Sequence, residues 1–174
     1  MIESNVYHLW LMPQAESNDY LSEVIRKLSR AYQTRLFDPH VTLAGGITGP
    51  EDELLAKTEK LASNLHRIMI TPQEVQYLNE FYRSLFLAVT PAESLINANK
   101  LAKQLFELPL NEEFMPHLSL LYGDLSVNEK ERIKGELDSN LLRKFNVDRI
   151  VLFRTNIQSD QWASVKSFPL KSIN

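Results

Sequence analysis

Phe37-Asp38-Pro39-His40-Val41-Thr42-Leu43 and Phe114-Met115-Pro116-His117-Leu118-Ser119-Leu120 are two versions of one heptapeptide. Phe, Pro, His and the final Leu coincide, and Thr42 corresponds to Ser119 as a hydroxyl. The histidines lie 77 positions apart in a chain of 174 residues. Two copies so spaced read as a duplicated unit and not as a solenoid, which needs more repeats. Each copy reads as a short strand between turn signals: His40 to Ala44, ended by Gly45-Gly46, and His117 to Tyr122, ended by Gly123.

The elements around the copies follow one order. Val6 to Met12 reads as an opening strand stopped by Pro13, and Gln14 to Asn18 as a polar turn. Leu21, Val24, Ile25, Leu28 and Tyr32 recur at helical spacing, so Asp19 to Tyr32 is a helix with Asn18 as its N-cap. After the first copy, Gly49-Pro50 opens a helix with Pro at its first position and Leu54, Thr58, Leu61 and Leu65 along one face. Strands are expected over 67–78, broken near Pro72, and over 81–89. Thr90-Pro91-Ala92-Glu93 reads as a capping box before a helix with Leu95, Ala98, Leu101 (or Ala102) and Leu105. Beyond the second copy, Ser126 to Glu129 is another capping box, before Ile133, Leu137 and Leu141. Two strands, about 145–155 and 161–170, close the chain. The expected fold is α+β: mainly antiparallel strands in two lobes, with helices outside. Residues 1–174 form a single domain in this reading, with related halves of about 1–78 and 79–174.

Composition bounds the function. The chain is 44% hydrophobic and 24% charged, ordinary for a globular protein. There is no cysteine, which removes disulfides, thiolate metal sites and cysteine nucleophiles and fits a cytoplasmic location. No apolar run is long enough for a membrane helix, and the segment from Met1 to Trp10 lacks the marks of a signal peptide. Net charge is −3, with no basic run of five. Binding a long nucleic acid relies on many phosphate contacts, so a small substrate is expected, and the protein is expected to act as a monomer.

Side chains at i and i+2 of a strand share a face. His40 and Thr42 therefore point together, as do His117 and Ser119, with Val41, Leu43, Leu118 and Leu120 turned to the core. If the halves meet about a pseudo-twofold axis, two imidazoles and two hydroxyls face one cleft. Opening a phosphodiester with water requires one group to take a proton and another to give one. Imidazole, with an ordinary pKa near 6.5, performs either task near neutral pH. The hydroxyls can donate to the non-bridging phosphate oxygens. No metal or other cofactor is required, and neither copy includes a Cys or carboxylate at metal-ligand spacing. Which histidine is the base stays open. His8 and His66 have no matching partner and read as structural or surface residues.

The paired Pro-His-x-[Thr/Ser]-Leu copies resemble the two-histidine (2H) phosphoesterase superfamily. Within it, the chain is most similar to the cyclic nucleotide phosphodiesterase family of plants and fungi. The resemblance extends over Val6-Tyr7-His8-Leu9-Trp10-Leu11-Met12-Pro13, Ser84-Leu85-Phe86-Leu87, Met115 to Tyr122, Arg149-Ile150-Val151-Leu152 and Trp162. It implies two lobes of antiparallel sheet with the active site between them. It implies hydrolysis of ADP-ribose 1″,2″-cyclic phosphate to the 1″-phosphate, and of nucleoside 2′,3′-cyclic phosphates to 2′-phosphates. By motif match it makes His40, Thr42, His117 and Ser119 catalytic and phosphate-binding. It puts Tyr122 at the mouth of the site, with Trp10 and Tyr82 as walls for a base or ribose. Arg83, adjacent to Tyr82, should face the other way in a regular strand. Gly45-Gly46 stands where plant members are expected to carry bulkier residues. Competing readings are an RNA-end cyclic phosphodiesterase or 2′-5′ RNA ligase-like enzyme, and a module that binds nucleotides without turnover.

Overall fold

The computed structural model describes residues 5–156 and 161–172. Residues 1–4, part of the N-terminal segment read above, lie outside the described residues. The strands are β1 (Asn5–Pro13), β2 (Val41–Ile47), β3 (Ile68–Ile70), β4 (Pro72–Gln76), β5 (Leu85–Val89), β6 (His117–Leu121), β7 (Phe145–Asn156) and β8 (Gln161–Pro169). The helices are α1 (Ala15–Tyr32), α2 (Glu51–Ala62), α3 (Glu93–Leu105) and α4 (Val127–Glu136). Strand order is β3-β7-β1-β2-β6-β5-β4, with β8 also on β7, and every strand pairing is antiparallel. Strands from the two ends of the chain pair, β7 with β1, while the consecutive mid-chain strands β4 and β5 pair with each other.

The sheet forms two lobes because its middle is narrow. β2 meets β6 through the pair Val41–Leu118, whereas β1 runs alongside β7 from Asn5 to Pro13. One face of the sheet carries the main core, including Leu9, Leu11, Val41, Leu43, Leu85, Leu87, Leu118 and Leu120, packed with Leu21 of α1, Leu61 of α2, Leu95 of α3 and Ile133 of α4. The other face carries a smaller hydrophobic cluster of Trp10, Met12, Val151 and Phe153. The helices pack on the main-core side. No helix among the described residues is long and apolar enough to cross a membrane.

Several element boundaries differ from the sequence reading. α1 begins four residues earlier than expected, so 15–18 are its first turn and Asn18 is no cap. Pro50 precedes α2 as its N-cap residue instead of occupying its first position. The Thr90 cap does not form: its backbone N–H is held by the Thr71 carbonyl at 2.9 Å, and the helix begins at Glu93. On α3 it is Ala102 that is buried, while Leu101 is half-exposed. The capping box at Ser126 and Glu129 forms in full. The segment 81–83 is a 3₁₀ turn and not the start of β5.

Candidate functional site

The two heptapeptides come together at the seam. Continuing the Val41–Leu118 register by one residue sets His40 opposite Ser119 and Thr42 opposite His117. Each histidine thus faces the hydroxyl of the other copy. His40, Thr42, His117 and Ser119 line one cavity of about 410 Å³, together with Val6, His8, Trp10, Tyr82, Tyr122, Thr155, Asn156 and Trp162. All seven side chains singled out from the sequence therefore share one space.

The prolines before the histidines have a geometric consequence. A residue preceding proline is held extended, and in both copies the carbonyl of that residue meets the imidazole two positions on. His40 Nδ1 lies 2.7 Å from the Asp38 carbonyl oxygen, and His117 Nδ1 lies 2.9 Å from that of Met115. A carbonyl only accepts, so both Nδ1 atoms carry hydrogen and both Nε2 atoms are left for chemistry. The rings are supported differently. His40 is 5% exposed and lies flat on Trp10, with centroids 3.5 Å apart and planes 7° from parallel. His117 is less buried and meets Phe86 edge-on at 5.3 Å.

Burial sets the charge state. Desolvation lowers the His40 pKa to about 3, against a raising contribution from its Asp38 hydrogen bond, with further lowering by His117 and His8. Desolvation also lowers that of His117, opposed by the Met115 bond; Arg83 lowers it and Glu80 raises it. Ser119 Oγ donates to the Tyr82 carbonyl at 3.0 Å, and the Tyr122 hydroxyl hydrogen-bonds with Ser119. Among the described residues no cluster of His, Cys, Asp or Glu is arranged to hold a metal ion.

β-Bulges decide which residues after each hydroxyl reach the cavity. In β2, Trp10 pairs with Thr42 but Leu9 pairs with Ala44, which leaves Leu43 as an extra residue. In β6, Phe86 pairs with Ser119 but Leu85 pairs with Leu121, which leaves Leu120 extra. The bulges sit at matching places in the two copies. Each puts two consecutive residues into the core and reverses the alternation beyond. Asn99 of α3 is buried and donates to the Leu43 carbonyl at 2.7 Å, satisfying a group the bulge takes out of the ladder. The reversal explains why Tyr122, an odd number of residues from His117, lines the cavity.

Some positions depart from expectation. Tyr122 is 4% exposed and stacked on Phe37 at 3.7 Å, so it is an inner wall and not the mouth. Trp10 lines the cavity, yet both its faces are covered, by His40 and by Phe153 at 3.6 Å. It offers a ligand only its edge. Tyr82 is 55% exposed at the rim, 5.9 Å from Trp162 across the cleft. Arg83 turns away to Glu80, Nε to Oε2 2.7 Å, because of the 3₁₀ turn and not through strand alternation. β2 does not stop at Gly45-Gly46 but runs to Ile47, with Gly46 at φ +71°. His66 is exposed beside Lys171 and takes no part in the site. His8 is a correction: it lines the cavity. Trp162 was legible only as part of a family pattern, since β8 brings it in from far along the chain.

Comparison with known proteins gives the family and the fold. Residues 6–170 match the family model described as cyclic phosphodiesterase-like protein. The chain is 27% identical to the cyclic phosphodiesterase of Arabidopsis thaliana over 171 residues, covering 94% of each. It is 28% identical to a 2′,3′-cyclic-nucleotide 3′-phosphodiesterase of Kluyveromyces lactis over 149 residues, covering 72% of this chain and 68% of that one. In fold it is similar to apo LigT of E. coli, with TM-score 0.64, 16% identity and coverage of 96% of this chain and 98% of that one. TT0787 of Thermus thermophilus gives TM-score 0.64 at 15% identity, covering 98% of this chain and 100% of that one. The family match spans both histidine copies and nearly every strand of the sheet, and the chain belongs to the cyclic phosphodiesterase-like protein family.

Proposed function

We propose that the protein is a cyclic phosphodiesterase that needs no metal, opening ADP-ribose 1″,2″-cyclic phosphate to the 1″-phosphate and nucleoside 2′,3′-cyclic phosphates to 2′-phosphates. The observation that carries this reading is the matched pair of imidazoles, each fixed through Nδ1 and each facing the same cavity beside a hydroxyl.

His40, the more deeply buried, is neutral above about pH 3 and serves as base. Its Nε2 takes a proton from water as the water oxygen bonds to phosphorus. His117, less buried than His40, serves as acid. Its Nε2–H gives a proton to the ring oxygen that leaves. Thr42 and Ser119 donate to the non-bridging oxygens, Ser119 by turning from the Tyr82 carbonyl. A bound phosphodiester anion favours the imidazolium, so substrate itself helps charge the acid.

The cavity lining contains no Lys or Arg among the described residues, which favours a small substrate over an RNA chain. Arg35 lies over the ring of Trp162, which lines the cavity, at 4.3 Å, and a cation there supports a substrate that carries further phosphate groups. The test is a product assay on a panel: ADP-ribose cyclic phosphate, the four nucleoside 2′,3′-cyclic phosphates and oligonucleotides ending in a cyclic phosphate, each with and without chelator. Turnover of the small substrates to 1″- and 2′-phosphates, insensitive to chelator, is expected. Preference for the oligonucleotides would overturn the substrate assignment, and loss of activity with chelator would overturn the mechanism.

A further inference from the structure

The matching bulges make Gly45 the counterpart of Tyr122: each is the first residue past the bulge to return to the cavity side. Just past the end of β6 that position carries a tyrosine ring. On β2 it carries no side chain, and His8 of β1 takes the room. A Cβ at position 45 would lie 2.8 Å from His8 Nδ1, closer than real side chains approach, and the next nearest atoms, at 3.6 and 3.9 Å, also belong to His8. The His8 ring therefore fills on one lobe the place that Tyr122 fills on the other.

The ring is held from its far side. His8 Nε2 lies 3.1 Å from Thr155 Oγ1, and that hydroxyl donates its one proton to the Val6 carbonyl at 3.2 Å. Thr155 Oγ1 must then accept, so Nε2 carries the hydrogen and Nδ1 of the neutral ring is an acceptor. Burial favours the same neutral form. Along β1, His8 lies one same-face step, roughly 7 Å, from Trp10, which pairs with Thr42. The cavity continues past His8 to Val6, Thr155 and Asn156, none of them charged.

We infer that His8, seated in the space Gly45 leaves open, is a specificity-determining residue that contacts the uncharged nucleoside part of the substrate. This rests on the proposed reading of the cavity, in which phosphate lies among His40, Thr42, His117 and Ser119. One step beyond phosphate comes the sugar and then the base. A neutral imidazole among uncharged neighbours suits a hydroxyl or an amine and offers nothing to a second phosphate.

The test compares kcat/KM for a nucleoside 2′,3′-cyclic phosphate with that for glycerol 1,2-cyclic phosphate, which keeps the reacting ring and lacks the nucleoside. The ratio of the two should fall about tenfold in His8→Ala and in the same direction in Thr155→Val. Gly45→Ala, which pushes His8 from its seat, should lower the ratio as well, and that further loss should vanish in the His8→Ala/Gly45→Ala double variant. A ratio equal to wild type in His8→Ala overturns the inference. If that variant does not fold, an unchanged ratio in Thr155→Val overturns it instead. Wild type that opens neither compound would refute the paired-histidine reading and not this one alone.

Discussion

The imidazole of His40 lies on the indole of Trp10 with centroids 3.5 Å apart, and Phe153 covers the opposite face of that indole at 3.6 Å. Trp10 is thus the middle of a three-ring stack and a support for His40. Trp10→Leu should lower kcat about 10- to 100-fold through misplacement of the base, with KM changed much less, while Trp10→Phe should recover most of the activity. Steady-state kinetics on a nucleoside cyclic phosphate decide this. A raised KM with unaltered kcat would show that the indole binds substrate instead.

The two histidines give the rate a specific pH dependence. His40 acts neutral and is so above about pH 3. His117 acts protonated, and its pKa is lowered below the ordinary 6.5. The kcat/KM profile, which reports the free enzyme, should therefore peak on the acid side of pH 6.5 and fall as pH rises. Bound phosphate raises the His117 pKa, so the alkaline limb of kcat should lie at higher pH than that of kcat/KM. A kcat/KM that climbs through pH 6.5 would contradict the roles assigned.

The same burial makes stability depend on pH. For His40 the folded pKa, about 3, lies below the unfolded value of 6.5, so the unfolded chain binds the extra proton. The favourable contribution is complete above pH 6.5 and is lost progressively as pH falls toward 3. From pH 7 to pH 5 this one group should cost about 2 kcal/mol. Urea unfolding of wild type and His40→Gln at both pH values should show the variant losing less stability by that amount. Parallel losses would mean that His40 is not buried uncharged.

Ser119 is held ready but turned aside, its hydroxyl on the Tyr82 carbonyl at 3.0 Å. Ser119→Ala should reduce kcat by about 10²- to 10³-fold, as for loss of one oxyanion donor. Tyr122→Phe, which removes only the hydroxyl that bonds with Ser119, should cost about tenfold. Single-turnover rates separate these losses from changes in substrate binding. A Ser119→Ala enzyme with wild-type rate would remove the hydroxyl from the mechanism.

Much of this site was legible because it obeys local rules. His40 with Thr42 and His117 with Ser119 follow from two-residue alternation, and the repeated heptapeptide indicates that the pairs belong together. What escaped depends on departures from those rules. The bulges at Leu43 and Leu120 reverse the alternation, so neither the side of Tyr122 nor the facing of Gly45 and His8 could be counted from the motifs. Residues 81–83 have strand-like composition, but they form a 3₁₀ turn, and Tyr82 reaches the rim from there. Trp162 arrives through the β7–β8 pairing, a long-range register that no local pattern encodes. The early start of α1 and the missing cap at Thr90 show tertiary hydrogen bonding overriding a terminal signal.

The central claim, that both imidazoles act on one phosphate, is tested most directly by turnover of a nucleoside 2′,3′-cyclic phosphate in His40→Ala, His117→Ala and the double variant. Each single change should cost about 10²- to 10⁴-fold in kcat, and the double variant should be little worse than the poorer single, because a base without its acid is idle. Near-wild-type turnover in either single variant, or losses that multiply as if the two rings worked independently, would contradict it.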